Sequence, residues 1–111
     1  MPQRRNYTRY DAEVLLWWLK DWDPIPLNML DISEGGMLCE FPEKLETGTQ
    51  VELQFEFPDY EGTISSRCVV AYCRPMGNRS FYIGLKLNEL TGIHKDEFSE
   101  RMMTLPKPGG V

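Results

Sequence analysis

The chain has 111 residues, of which 41% are hydrophobic and 12% aromatic, and its 12 basic and 17 acidic side chains give a net charge of −5. One compact domain fits this length, and the apolar content excludes a disordered protein. The longest apolar run, VLLWWL at residues 14–19, is far shorter than the about 20 residues that cross a membrane as a helix, which argues against membrane insertion. The charged N-terminus lacks the apolar segment of a secretory signal, which predicts a cytoplasmic protein.

The charge is divided unevenly along the chain. The first ten residues carry +3 from Arg4, Arg5 and Arg9, whereas the other 101 residues hold 9 basic and 17 acidic side chains and sum to −8. Binding to DNA or RNA needs a broad basic surface, so this distribution disfavours it, an oligonucleotide-binding barrel included. A small anionic ligand that meets the basic N-terminal segment agrees with the same distribution.

Alternation of apolar and polar residues predicts six strands. It is clearest in VELQFEF at residues 51–57, where every second side chain is apolar. A turn at Phe57–Tyr60, with proline in its second position, leads into a β-branched run, so these two strands should form a long hairpin. A further turn is predicted at Pro75–Asn78. In chain order the predicted strands are Glu13–Leu19, Leu27–Ile32, Met37–Phe41, Val51–Phe57, Ile64–Cys73 and one whose inward face is Phe81, Ile83, Leu85 and Leu87.

A change of period after Leu90 predicts one helix, which should begin near Thr91 and end before Pro106. Six strands with short connections and a terminal helix are typical of an antiparallel barrel or sandwich. In the first strand Trp17 and Trp18 are adjacent, so one should face the core and the other the exterior. The residues that share one face of the predicted helix are His94, Phe98, Met102 and Leu105.

Catalytic or metal chemistry has little support in this sequence. Its one histidine, His94, lies on the apolar face of the predicted helix, and no GxSxG, HExxH, P-loop or GxGxxG motif is present. Cys39, Cys68 and Cys73 lack the paired spacing of zinc sites and are interpreted as reduced, mostly buried packing residues. On a regular strand, Cys68 and Cys73 would face opposite sides and could not share a metal. We therefore expect neither an enzyme nor a metal site.

The basic segment contains RRNYTR at residues 4–9, in which Arg5 and Arg9 are four residues apart. This spacing puts both side chains on one side of an extended chain and also makes them neighbours on a helical turn. Both can therefore reach one ligand. The alternative is that the segment is a solvated, charged tail.

A second motif, DISEGG at residues 31–36, joins two predicted strands. Asp31 should end one strand, Ser33 and Glu34 should form the turn, and Gly36 should open the next strand. Aspartate, serine and glycine are common in turns, so a purely structural role also explains this motif.

The two motifs together resemble the PilZ domain, a bacterial receptor for cyclic di-GMP, in which an RxxxR element precedes [D/N]xSxxG by some twenty residues. The segment YIGLKL at residues 82–87 looks like the glycine-containing strand near the end of such domains. The resemblance spans about residues 4–104, and the residues that match the two motifs are Arg5, Arg9, Asp31, Ser33 and Gly36. It implies a six-stranded antiparallel β-barrel with a C-terminal helix. The organisation expected is a flexible basic arm at 1–10, the barrel domain with its helix at 11–105 and a mobile tail at 106–111.

The resemblance also implies a function, namely a receptor that binds cyclic di-GMP and relays the signal to an effector protein. Guanine offers O6 and N7 to an arginine fork and its N1 and N2 hydrogens to a carboxylate such as that of Asp31, so a site with both groups selects guanine over adenine. Ser33 would orient the turn or donate to the ligand, and Gly36 would leave room for close approach. The alternative is a protein-interaction adaptor of the same fold that binds no nucleotide.

Arg4 bears on the number of ligands. In PilZ domains, an arginine immediately before the RxxxR element tends to accompany two intercalated cyclic di-GMP molecules, and Arg4 stands in that position. Two stacked ligands carry four phosphate charges, which a third guanidinium helps to compensate. We therefore expect two ligands per chain and no other cofactor.

Overall fold

The computed structural model describes residues 14–21, 23–33 and 35–104, with Ser33 described in its backbone alone. Within these ranges the chain forms β1 (Leu15–Lys20), β2 (Asp23–Ser33), β3 (Gly36–Phe41), β4 (Gln50–Glu56), β5 (Ile64–Gly77), β6 (Ser80–Thr91) and α1 (Lys95–Met103). All neighbouring strands are antiparallel, and they close into a barrel in the order β1–β2–β3–β6–β5–β4. The predicted six-stranded antiparallel barrel with one C-terminal helix is confirmed.

The alternating residues form the strands as predicted and fill the interior of the barrel. In β4, Leu53 and Phe55 are fully buried while Glu52 and Glu56 face solvent. Of the adjacent tryptophans Trp17 and Trp18, Trp18 lies in the core with its ring edge-to-face against Phe41. Trp17 lies on the opposite, outer side of β1. The inward residues of β6 are Phe81, Ile83, Leu85 and Leu87, all packed in or against the core.

Two strands pass through prolines and run further than predicted. β2 begins at Asp23 and includes Pro24 and Pro26, where it pairs with β1 alone, since its pairing with β3 begins at Asn28. β5 likewise passes Pro75 in a segment that pairs with β6 alone, beyond the last β4 contact at residue 69. A strand segment with one free side tolerates the missing N–H of proline.

The turn predicted at residues 75–78 is therefore wrong. Gly77 pairs with Ser80, and the two residues between them, Asn78 and Arg79, have φ of 54° and 62°. Positive φ at both central positions is the geometry of the tight two-residue hairpin that suits the twist of paired strands.

The prediction that Cys68 and Cys73 face opposite sides is also wrong. The pairing of β5 with β6 shifts by one residue between Val70 and Tyr72, which leaves Ala71 without a partner and reverses the side that the following residues face. Cys68 is in the core and Cys73 packs against it. All three cysteines are free, and burial raises the pKa of the Cys39 and Cys68 thiols.

The helix α1 begins at Lys95, later than the predicted start near Thr91. His94 is its N-cap, with extended backbone and Nδ1 accepting a hydrogen bond from the Asp96 N–H at 3.2 Å, so its side chain is exposed and does not lie on the packed face. Phe98 and Met102 are buried, and the Phe98 ring stands edge-on to Phe55 at 5.0 Å. In the part of the chain described, no helix is long and apolar enough to span a membrane.

The helix covers one end of the barrel, which we call the helix end. Because all neighbouring strands are antiparallel, the start of β1, the β2–β3 turn, the β4–β5 connection and the end of β6 all lie at this end. Arg101 anchors α1 to the β4–β5 connection, donating to Asp59 at 2.8 Å with its guanidinium 5.0 Å from the Tyr60 ring centroid. The hydrogen bond from Arg101 lowers the pKa of Asp59.

Gly92 joins β6 to α1 and should tolerate replacement by alanine less well than Gly48 does. Its φ is 93°, and a Cβ there would lie 2.0 Å from the carbonyl oxygen of Thr63. Gly48 has a similar φ of 94° with open space around it. Gly48→Ala should cost about 1–2 kcal/mol of unfolding free energy for the left-handed backbone, and Gly92→Ala should cost more because of the added overlap. Urea denaturation of the two variants measures the difference, and equal losses would contradict this account.

Candidate functional site

The β2–β3 turn contains the DISEGG motif. Ser33 is the last residue of β2 and pairs with Gly36, the first residue of β3, which confirms the expected start of that strand. Ser33 was expected within the turn, but its pairing with Gly36 restricts the turn to positions 34 and 35. Gly35 there has φ of 82°, and its carbonyl accepts a hydrogen bond from the Leu87 N–H at 3.0 Å. That bond ties the turn to β6.

Asp31 lies on the outer surface of β2, and its carboxylate is exposed. The pairing of β2 with β3 shifts between Met29 and Asp31, so Met29 and Leu30 are both buried and Asp31 is turned outward. Its Oδ1 accepts a hydrogen bond from the Ile32 N–H at 2.9 Å, the one bond this side chain makes within the described residues. Most of the hydrogen-bonding capacity of the carboxylate is therefore open to a ligand.

Asp31 belongs to a row of four residues that crosses neighbouring strands on the outside of the barrel. It pairs with Leu38 on β3, Leu38 pairs with Gly84 on β6, and Gly84 pairs with Tyr72 on β5. The four residues, here called the Asp31 face, line a shallow depression of about 220 Å³. Strands lie about 4.8 Å apart, so the row is about 14 Å long, a suitable size for a nucleotide.

The Tyr72 ring covers Gly84. A Cβ built on Gly84 would lie 2.4 Å from Cε2 of Tyr72 and 2.7 Å from its Cζ, so the ring occupies the space that any side chain would need. Tyr72 remains 44% exposed, and the Arg74 guanidinium lies over its ring, 5.6 Å from the ring centroid. Tyr72 was not among the predicted site residues. A glycine inside an alternating strand, as in YIGLKL, was the available signal, because it often marks a close approach.

The charges around the Asp31 face are mixed. The positively charged side chains of Lys86 and Arg74 are exposed on its two sides, and the negatively charged carboxylate of Asp31 lies within it. Glu40, next to Leu38 on the outer surface, accepts a hydrogen bond from Asn28 at 3.1 Å. A ligand with several phosphates would need more positive charge than these described residues supply.

The first described residue, Val14, lies at the same end of the barrel as the β2–β3 turn. Leu16 pairs with Leu27, and extending this register by two residues sets Val14 level with Met29, two residues before Asp31. Arg9 is five residues before Val14, which allows a reach of up to about 17 Å. Arg4, Arg5 and Arg9 themselves lie outside the described residues, as does Glu34.

A larger cavity of about 320 Å³ lies between the β2–β3 turn, the end of β6 and α1. Its walls include Leu87, Phe98 and Met102, with Glu89 and Lys95 as the charged members. This cavity does not reach Asp31, and its lining has one cation, Lys95. Two exposed cations, Lys86 and Arg74, flank the Asp31 face, which makes that face the better candidate for an anionic nucleotide.

Comparison with known protein families agrees with the fold of the chain. A family model described as PilZ domain matches residues 3–102, a span that includes both sequence motifs, the whole barrel and most of α1. No curated protein and no solved structure matches the chain. Because the match covers nearly the full length, the chain belongs to the PilZ domain family, whose members are in general receptors that bind cyclic di-GMP.

Proposed function

We propose that this protein is a non-enzymatic receptor that binds cyclic di-GMP on the Asp31 face and relays the signal to an effector protein. The observation that carries the proposal is the exposed Asp31 carboxylate, which lines a depression of about 220 Å³ on the outside of the barrel. The strand that follows the arginine-bearing segment, β1, begins at the same end of the barrel. Membership of the PilZ domain family supports the same ligand.

The chemistry of Asp31 suits guanine. A carboxylate with free lone pairs accepts the N1 and N2 hydrogens of guanine, whereas adenine has no hydrogen on N1. An arginine fork from Arg5 or Arg9 supplies the complementary donors to O6 and N7, and the other guanidinium pairs with phosphate. Ser33 and Gly36, adjacent at the turn, complete the proposed site by orienting the turn and leaving room for the ligand.

The arginines would also supply positive charge that this face lacks. The described body of the protein is acidic, and Lys86 and Arg74 alone are a weak counterpart to a dianion. Three guanidinium groups from residues 4, 5 and 9 would supply the missing charge where the phosphates lie. The ligand would then join the N-terminal segment to the barrel.

A protein-interaction adaptor that binds no nucleotide is the second candidate. Leu15 is 48% exposed on the outside of β1, and next along that side the Trp17 Nε1 is buried without a hydrogen-bond partner in the described residues. The exposed Leu15 side chain would suit an apolar contact with a partner protein. Calorimetric titration with cyclic di-GMP, with cyclic di-AMP and GTP as controls, separates the two functions, because the adaptor binds none of them.

Arg5→Ala and Arg9→Ala should each weaken cyclic di-GMP binding by about 10- to 100-fold. Each variant removes charge-assisted hydrogen bonds worth about 1.5–3 kcal/mol, and neither residue belongs to the described core. Calorimetry measures the affinity, and thermal denaturation checks the fold. Arg79→Ala, which removes an exposed charge at the far end of the barrel, is the matched control and should bind normally. Unchanged affinity in both arm variants would remove the arm from the site.

Asp31→Ala should weaken cyclic di-GMP binding and reduce the preference over cyclic di-AMP, since guanine donors left unpaired cost about 1–3 kcal/mol. The fold should persist, because the exposed side chain bonds to the Ile32 N–H alone. Glu56→Ala, an exposed carboxylate on β4, is the matched control. If Asp31→Ala unfolds and loses all ligands alike, Asp31 is a structural residue of the turn.

The unaltered protein should bind two cyclic di-GMP molecules per chain, and Arg4→Leu should shift this ratio toward one while binding persists. Arg4 would offset part of the repulsion between four phosphate charges. Calorimetry with independently determined protein concentration gives the ratio. One ligand per chain in the unaltered protein would refute the two-ligand hypothesis. A ratio of two in Arg4→Leu would show that Arg4 does not set it.

A further inference from the structure

We propose that the outer side of β1 and the first part of β2 form the surface that docks the effector protein. The effector would present an apolar centre with lysine or arginine at its edge. This inference rests on the proposed relay of the signal to an effector, and it names the surface of this chain that the effector contacts.

The first support is a stripe of apolar side chains on this surface. In β1, Leu16 and Trp18 fill the core, yet the residues that alternate with them on the outside are apolar as well. Apolar side chains on both faces are typical of a strand that is covered on both sides. We call the outward apolar residues the β1–β2 stripe; they are Leu15, Trp17 and Leu19 on β1 with Pro24 and Pro26 on β2.

The members of the stripe are contiguous across the two strands. Trp17 pairs with Pro26, and Leu19 pairs with Pro24. Leu15 is 48% exposed, and both prolines are exposed as well. Single exposed apolar residues are common on soluble proteins, whereas a contiguous group of them indicates contact with another molecule.

The size of the stripe favours a transient partner over a permanent one. Leu15 and Leu19 are four residues apart, which is about 14 Å along the strand, and the stripe is two strands wide. A permanent dimer buries more than about 1,000 Å² on each chain, far more than this stripe offers. A small apolar area suits the centre of a smaller interface whose edge is polar.

Carboxylates border the stripe and determine which charge its partner should carry. Glu56 on β4 lies beside the first residue of the stripe, and Asp23 lies at the other end. Both are exposed and have no ion-pair partner within the described residues, whereas Lys20 at the end of β1 is paired with Glu43. A second copy of this chain would bring the same negative charges and be repelled. Lysine or arginine at the edge of a different protein would be attracted.

The stripe and the Asp31 face share β2 without overlapping. Pro24 and Pro26 lie in the part of β2 that pairs with β1 alone, whereas Asp31 lies near its other end and pairs with β3. A ligand on the Asp31 face therefore leaves the stripe accessible. Leu15 is six residues after Arg9 in the chain, so a partner on β1 lies next to the segment that the ligand would engage.

A photo-reactive residue at position 15 identifies the partner. Leu15 is replaced with p-benzoylphenylalanine in the cells that produce this protein, and a matched variant carries the same residue in place of Asn88. Asn88 is exposed on β6, the strand opposite β1 in the barrel. Irradiation should attach one protein to position 15 and not to position 88. Capture alone does not establish the surface, so the captured protein is purified and its affinity is measured.

Leu15→Asp should weaken binding of the captured protein by about 10- to 100-fold, because a charge replaces an apolar contact in the interface. Glu56→Lys should weaken it by about 3- to 10-fold and reduce its dependence on salt, since a carboxylate that attracts the partner becomes a cation. Glu100→Lys, the same reversal at an exposed position of α1, is the control and should bind normally. Calorimetry at low and high salt with cyclic di-GMP present measures these affinities, and thermal denaturation checks each fold.

Four results would overturn the inference. They are equal cross-linking at positions 15 and 88, a cross-linked product of twice the chain mass, equal affinity of the captured protein for Leu15→Asp and the unaltered protein, and an affinity unchanged by Glu56→Lys. The product of twice the chain mass would make the stripe a dimer interface. Failure of the unaltered protein to bind cyclic di-GMP contradicts the proposed function itself, and neither the cross-linking nor the affinity for the captured protein measures that binding. The two failures are therefore distinguishable.

Discussion

Closure of the six-stranded barrel is the constraint on which the candidate site depends. A closed antiparallel sheet leaves each strand with fixed neighbours, so residues far apart in the chain become adjacent in the rows that cross it. Asp31 and Tyr72 are 41 positions apart, yet both lie in the row that passes through Leu38 and Gly84. No helix or loop sets their distance. The backbone hydrogen bonds of β2, β3, β6 and β5 do so, and those bonds are the most rigid part of such a fold.

Single-residue shifts within the strands decide which side chains of this row face outward. One extra residue reverses the side that every later residue faces. The shift between Met29 and Asp31 turns the carboxylate outward after two buried residues, and the shift around Ala71 turns Tyr72 outward and Cys73 inward. The same irregularities that defeat a simple alternation rule thus create the outer face that the proposed ligand would use.

Sequence reasoning recovered the elements whose burial is governed by local alternation. β4 and the inward residues of β6 follow from period two. The DISEGG motif also predicts a binding role for Asp31, which stays a prediction. Sequence reasoning failed where the conformation of a residue depends on more than the alternation of apolar and polar residues. β5 can continue through Pro75 because β4 does not pair with that segment, so the missing N–H of the proline leaves no hydrogen bond unmade. His94 shares the spacing of the apolar helix face, but its imidazole caps the helix instead. The contact of Tyr72 with Gly84 requires knowing which strands pair.

The division of charge in the sequence acquires a structural meaning from this geometry. The Asp31 face carries groups suited to bases, namely a carboxylate and an aromatic ring, but its nearby cations are few. Three further cations, Arg4, Arg5 and Arg9, lie in the acid-free first ten residues of the chain, and β1, which follows them, begins at the same barrel end as the β2–β3 turn. Under the proposed function, base recognition and phosphate neutralisation thus come from two parts of the chain, and neither part alone completes the site. Binding would require both parts at once, so the ligand would couple the position of the N-terminal segment to the barrel, and that coupling is a physical means by which a partner protein could sense the bound state.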